Sequence, residues 1–97
     1  MQLGGIFMKF DLDKIITIYG EEYIELIKDN IDDVKANLKY FLEIGFNDIE
    51  DIFERYTPIF ICDNTSFKNK VKTLVRRLGF NYVELIENDL GLLEELL

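Results

Sequence analysis

The chain has 97 residues, a formal net charge of −8, a single cysteine and no histidine. One cysteine excludes an intramolecular disulfide and a cysteine-based metal site, and the lack of histidine removes the commonest general base and metal ligand. No apolar run approaches the roughly 20 residues of a membrane span, so we expect one non-membrane domain in the cytoplasm, without a cofactor.

The first seven residues are predicted to be a translated leader. Amino acids with AT-rich codons dominate the composition, which indicates an AT-rich genome. In such a genome Leu3-Gly4-Gly5 is written with codons that contain a bacterial ribosome-binding sequence, shortly before the codon of Met8. We therefore predict a bacterial gene, a disordered leader over residues 1–7 and a single helical repeat domain over residues 8–97.

Apolar residues recur at helical spacing along the chain, which predicts an all-α fold. Asp11 is placed to cap a first helix that ends at Gly20. A second helix is expected over residues 21–30 and a third over residues 32–44, with Gly45 as its stop.

A fourth helix is predicted after Asn47, which has the spacing of a capping box with Glu50. Pro58 prevents this helix from continuing. We expect residues 57–62 to form a short extended or 3₁₀ connector; a strand is the alternative, but no second β-rich run is available to pair with it.

Three more helices are expected in the remainder of the chain. The cap cluster 63–66 precedes a fifth helix over residues 67–78, which Gly79 ends. Asn81 and Glu84 repeat the capping box before a sixth helix over residues 82–87. Asp89 can cap a last helix over residues 90–97.

Part of the sequence is repeated. Residues 44–52 recur 34 residues later (79 − 45), and residues 20–27 share Gly, Tyr, Glu, Leu and Ile with residues 79–86. In each full copy a glycine, a phenylalanine and an asparagine join two helices. We expect Phe80 to pack on Leu85 as a hydrophobic staple, and Phe46 to pack on the neighbouring helix pair. The fold expected is a set of helix-turn-helix repeats stacked as a small α-solenoid or irregular bundle.

The pattern of residues 37–49, followed by Pro58, resembles the repeat of mitochondrial transcription termination factors (mTERF), and the likeness extends over about residues 34–97. Leu92 stands where the proline would recur. The resemblance implies units of two helices and a 3₁₀ turn that stack into a curved solenoid, and an inner face that binds nucleic acid. Members of that family bind through a basic surface, whereas this chain is acidic overall.

Positive charge is concentrated in one segment. Residues 64–83 contain five basic and no acidic residues, so the rest of the chain has a net charge of −13 (−8 − 5). Lys68, Lys72 and Arg76 form one stripe on the fifth helix. The stripe is a candidate contact for nucleic acid or an acidic protein; alternatively it is solvated, or paired within the chain to acids such as Asp48, Glu50, Asp51 and Glu54.

The C-terminus is rich in leucine. A terminal helix that is apolar nearly all round either folds back onto the domain or docks on a second copy. We predict a homodimer or partner contact there, with candidate residues Leu92, Leu93, Leu96 and Leu97.

These features favour a non-enzymatic protein-interaction module that binds a protein partner, including itself. The alternative is an mTERF-like nucleic-acid binder that uses the basic fifth helix, a function that the net charge disfavours. A weaker alternative is a mimic of nucleic acid through the acidic portion. Neither acidic cluster, 32–33 or 48–54, has the spacing of a calcium-binding loop, so we expect no metal. The sequence contains no recognisable set of catalytic residues, so we expect no cofactor and no enzymatic activity.

Overall fold

The computed structural model describes the backbone of residues 2–3, 6–9 and 12–97, and the side chains of residues 12–97. Two short strands, β1 (Gln2–Leu3) and β2 (Ile6–Lys9), pair antiparallel. Asp11, the predicted first cap, lies outside the described residues, as do the side chains of the predicted leader over residues 1–7. The cap at Asp11 and the disordered leader over residues 1–7 therefore stay predictions.

From residue 12 onward the chain is helical, which confirms the all-α prediction for this part. Its elements are α1 (Leu12–Tyr19), α2 (Glu22–Asp29), α3 (Ile31–Glu43), α4 (Ile49–Arg55), α5 (Thr57–Phe60), α6 (Asn64–Leu78), α7 (Tyr82–Asn88) and a C-terminal 3₁₀ helix (Leu90–Leu96). The predicted fifth helix is α6. It begins at Asn64 rather than Phe67 because Asp63, with extended backbone angles, accepts a hydrogen bond from the Ser66 amide at 2.9 Å.

The glycine stops are confirmed. Gly45 has a φ of +113° and Gly79 a φ of +86°, the left-handed region that glycine enters without a steric cost. Gly20, with a φ of +98°, ends α1 in the same way. The positions of these three residues therefore set where the first, third and sixth helices end.

Both predicted capping boxes are wrong. Asp48, not Asn47, precedes α4, and neither Asp48 nor Asn81 makes a side-chain cap hydrogen bond. An N-cap side chain reaches the helix amides from extended backbone angles, whereas Asn81 has a φ of −87° and a ψ of 18°. Asp89 does cap the 3₁₀ helix, since it accepts a bond from the Gly91 amide at 3.2 Å.

Pro58 ends one helix and begins another. α4 stops at Arg55, as predicted, but the following residues form the helical turn α5 rather than an extended or 3₁₀ connector or a strand. Proline is tolerated in the first turn of a helix, where its missing N–H is not needed. The hydroxyl of Thr57 donates to the Phe53 carbonyl at 2.6 Å across the break, and the turn carries Ile59 and Phe60 into the core.

Helix α3 is the central element and packs against α2, α4, α5 and α6. Aromatic rings fill the space between these helices. The stacked pair Phe41–Phe46 has ring centroids 4.6 Å apart, and further contacts join the buried rings of Phe53, Phe60 and Phe67. The Cα radius of gyration is 12.8 Å, close to the roughly 13 Å of a globular domain of this size, so the helices form a compact bundle.

Two polar side chains of residues 12–97, Thr57 and Asn37, are completely buried, and Asn37 makes the larger number of hydrogen bonds. Asn37 on α3 donates from Nδ2 to the carbonyls of Phe60 and Cys62, both at 2.9 Å. Its Oδ1 accepts from the side-chain Nδ2 of Asn64 at 2.9 Å. The backbone N–H of Asn64 donates to Oδ1 of Asp33 at 3.1 Å. The Asn37 amide therefore fixes the end of α5 and the start of α6 against α3.

We expect Asn37→Ala to lower the free energy of unfolding by about 2–4 kcal/mol, because two buried carbonyls and the Asn64 amide lose their partner. Asn30→Ala is the matched control: Asn30 is only half-buried and makes one bond, to Leu26, so its loss should cost at most about 1 kcal/mol. Urea unfolding measures both values. Equal losses for the two variants would contradict the role of Asn37.

Candidate interaction surface

The basic stripe lies on the side of α6 that faces away from the core. Phe67, Val71 and Leu74 are buried against α3, so the positions beside them face outward. Lys72 and Arg76 are exposed, and Lys68 is half-buried with its ammonium 5.5 Å from the centre of the Tyr40 ring. The structure thus places the three predicted residues together on one face of the helix.

Two of the four acids named as alternative partners of this stripe, Asp51 and Glu54, pair elsewhere. Asp51 lies 3.6 Å from the Lys14 ammonium and 3.2 Å from Arg55, and Glu54 lies 3.7 Å from Lys14. No acidic side chain among residues 12–97 comes within ion-pair distance of the three stripe residues. Of the alternatives, pairing to an acid within residues 12–97 is therefore not observed, and a solvated stripe or a contact with a partner remains.

The neighbouring Arg77 belongs to a different contact. Its guanidinium forms an ion pair with Glu95 of the 3₁₀ helix. The pair spans a cleft of about 240 Å³ between α6 and the 3₁₀ helix, lined by Lys70, Thr73 and Leu96 as well. Ligand pockets usually have volumes of about 300–1,000 Å³, so this cleft is a weaker candidate than the surface beside it.

The two repeated turns differ in exposure. Phe46, in the first copy, is 1% exposed, whereas Phe80, at the equivalent position of the second copy, is 93% exposed. The predicted staple of Phe80 on Leu85 is therefore wrong, and Leu85 is itself 42% exposed. The backbone angles of Asn81 explain this, since a staple accompanies an extended N-cap residue and Asn81 does not have that conformation.

Phe46 of the first turn is buried, and the start of α7 packs on this turn. The Tyr82 ring packs 6.2 Å from the Phe46 ring, and the Tyr82 hydroxyl donates to the Ile44 carbonyl. A Cβ at Gly45 would lie 3.4 Å from Val83, whereas a Cβ at Gly79 would meet nothing within 4 Å. Phe46 thus packs on the neighbouring helix pair, as predicted, while the second turn carries no such cover among residues 12–97.

The C-terminal leucines are divided between core and surface. Leu93 and Leu96 are buried in the chain's own core, and Leu92 is half-buried against it. Leu97 is exposed. The 3₁₀ helix folds back onto α5 and α6, so Leu93 and Leu96 are not available to a second copy in this conformation.

The remaining reactive groups do not form a site. Burial, together with Asp63 and Asp33, raises the pKa of the half-buried Cys62 thiol, and the opposing effect of Lys70 is smaller. A raised pKa leaves less thiolate and therefore a less reactive sulfur. Among residues 12–97, no three metal-ligating side chains converge, and no described helix has the length and apolarity needed to cross a membrane.

The sequence located the basic stripe but missed the exposed phenylalanine. The signal was present in the repeat, because Phe46 and Phe80 occupy equivalent positions and only the first is followed by a further copy. The stripe residues Lys72 and Arg76 and the turn 78–80 belong to the last two turns of α6 and its exit. They form the candidate interaction surface of the chain.

Comparisons with protein-family models, with curated proteins and with solved structures gave no match to this chain.

A matched pair of substitutions separates the two turns. We expect Phe46→Ala to lower the free energy of unfolding by about 3–5 kcal/mol, as for other buried phenylalanines. Phe80→Ala should change it by less than about 0.5 kcal/mol, because an exposed ring loses no packing. Denaturant unfolding of both variants tests the difference, and similar losses would show that Phe80 is packed in solution.

Proposed function

We propose that the chain is a non-enzymatic protein-interaction module. The observation that carries this proposal is Phe80, an aromatic ring 93% exposed to water at the exit of α6. On the same helix Lys72 and Arg76 form no ion pair within residues 12–97. Burying one phenylalanine side chain contributes about 1.5–3 kcal/mol. Aromatic residues and arginine are also the types enriched in protein interfaces.

We further propose that α3–α4 and α6–α7 are two units of a short repeat stack. The equivalent helices α3 and α6 pack on each other, and the first turn of α7 covers the turn between α3 and α4. In such a stack each unit buries a face of the one before it. Of these two units, α6–α7 presents the face that a further unit would cover, and that face contains Phe80.

A photo-reactive phenylalanine analogue at position 80 tests the interaction surface. In the source cell it should cross-link to a protein in a defined band, because the proposed partner covers this ring. The same analogue at Leu97, which is also exposed, is the matched control and should give little product. Equal cross-linking at the two positions, or none at position 80, would contradict the proposal.

Nucleic-acid binding is the second candidate, and the unpaired charge of the stripe favours it. The mTERF resemblance supports the same function. One feature weighs against it: the net charge of −8 repels phosphate. We therefore rank it below protein binding.

Gel-shift titrations at low salt decide this alternative. If the stripe binds nucleic acid, Lys72→Glu should weaken binding at least several-fold and reduce its dependence on salt. Lys28→Glu is the control, since it makes the same change of charge on α2. Because we favour protein binding, we expect no specific shift with the unmodified chain, and salt-sensitive binding lost only in Lys72→Glu would contradict that ranking.

A further inference from the structure

We propose that the partner is a second copy of this chain, which places the first turn of its α2, residues 21–24, on the exposed turn 78–80. This inference rests on the proposed function and specifies the partner. It differs from a contact between C-terminal leucines, two of which are buried. The contact is head-to-tail, because it joins two different surfaces of the same chain.

The chain itself contains an example of this contact. The turn 44–46 is covered by the first turn of α7, where Tyr82 supplies a ring to Phe46 and a hydroxyl to the Ile44 carbonyl. Val83 lies against Gly45. A cover for the equivalent turn 78–80 therefore needs a tyrosine followed by an aliphatic residue at the start of a helix.

Helix α2 has this sequence and the same pattern of exposure as α7. Residues 20–27 align with residues 79–86, so that Tyr23 corresponds to Tyr82 and Ile24 to Val83. All four of these side chains are half-buried. In both segments the next two residues are exposed and the third is buried. The start of α2 thus matches the start of α7 in sequence and in the order of exposed and buried residues, although Tyr23 and Ile24 also pack against the core of their own chain.

The other aligned segment is not suitable. At the start of α4, Asp48 occupies the tyrosine position and Ile49 is already buried in the core. The Tyr23 hydroxyl, by contrast, makes no hydrogen bond to any residue of the range 12–97, although its ring stacks on Tyr19 with centroids 5.2 Å apart. In the proposed contact this hydroxyl donates to the Leu78 carbonyl of a second copy, as Tyr82 does to Ile44.

The charges of the two surfaces are complementary. Glu21 and Glu22 are exposed at the start of α2, and neither forms an ion pair within residues 12–97. Lys72 and Arg76 are exposed and equally unpaired near the turn 78–80. In the internal contact the positions of Glu21 and Glu22 are those of Phe80 and Asn81, which stay exposed. The charges therefore act at the rim of the docked pair, and the contact should weaken as salt increases. Since each copy keeps one surface of each kind, the assembly grows beyond a dimer unless it closes.

Two variants with complementary defects test the contact by sedimentation velocity. Phe80→Ser removes one surface, and the double variant Glu21→Lys, Glu22→Lys reverses the charge of the other; all three residues are exposed, so the fold should persist. The unmodified chain should increase in mass with concentration, and each variant alone should stay monomeric. An equimolar mixture of the variants should form dimers but nothing larger, because it contains one intact surface of each kind.

Leu97→Ser, which removes an exposed leucine elsewhere, is the control and should assemble like the unmodified chain. The proposal is overturned if the unmodified chain stays monomeric up to millimolar concentration, if the variants assemble as well as it does, or if their mixture stays monomeric. A monomeric chain that still cross-links another protein at position 80 would overturn self-docking and leave the interaction module standing. If the chain neither assembles nor cross-links another protein at position 80, the proposed function is contradicted as well.

Discussion

A buried amide controls how this small bundle is assembled. Asn37 is fully enclosed, and a buried polar group without partners costs about 1–3 kcal/mol. The conformation that satisfies it brings the carbonyls of Phe60 and Cys62 and the Asn64 side chain to the same point on α3. The amide thereby holds the end of α5 and the start of α6 against α3, and an apolar side chain at this position could make none of these bonds.

The position of α6 has consequences for the surface. Because α6 lies along α3, the chain that leaves it returns with α7 across the turn 44–46 and encloses Phe46. Among residues 12–97 no element covers the equivalent turn at the end of α6, and Phe80 is exposed. One repeat thus produces a core residue and a surface residue from the same sequence pattern. The proposals about interaction and self-docking follow from this difference.

Sequence reasoning predicted what depends on local chemistry. Helical periodicity gave the helices, and glycine at positions 45 and 79 gave their ends, because a left-handed residue is needed there whatever surrounds it. It failed where the outcome depends on distant neighbours. Asn37 looks like an ordinary polar helix residue until α5 and α6 are placed against it, and the exposure of Phe80 is decided by which element returns over its turn. The capping boxes failed for a local reason, since the backbone angles at Asn81 are not extended.

We propose that the exposed turn 78–80 is covered by the start of α2 of a second chain, as the turn 44–46 is covered by α7 within one chain. Two-dimensional ¹⁵N spectra of the unmodified chain, recorded over a range of concentrations, test this most directly. We predict that amide signals around Phe80 and around Tyr23 shift together, with a single midpoint, while those of the enclosed turn at Phe46 stay in place. Signals that shift only at the C-terminal leucines, or do not shift at all, would contradict the account.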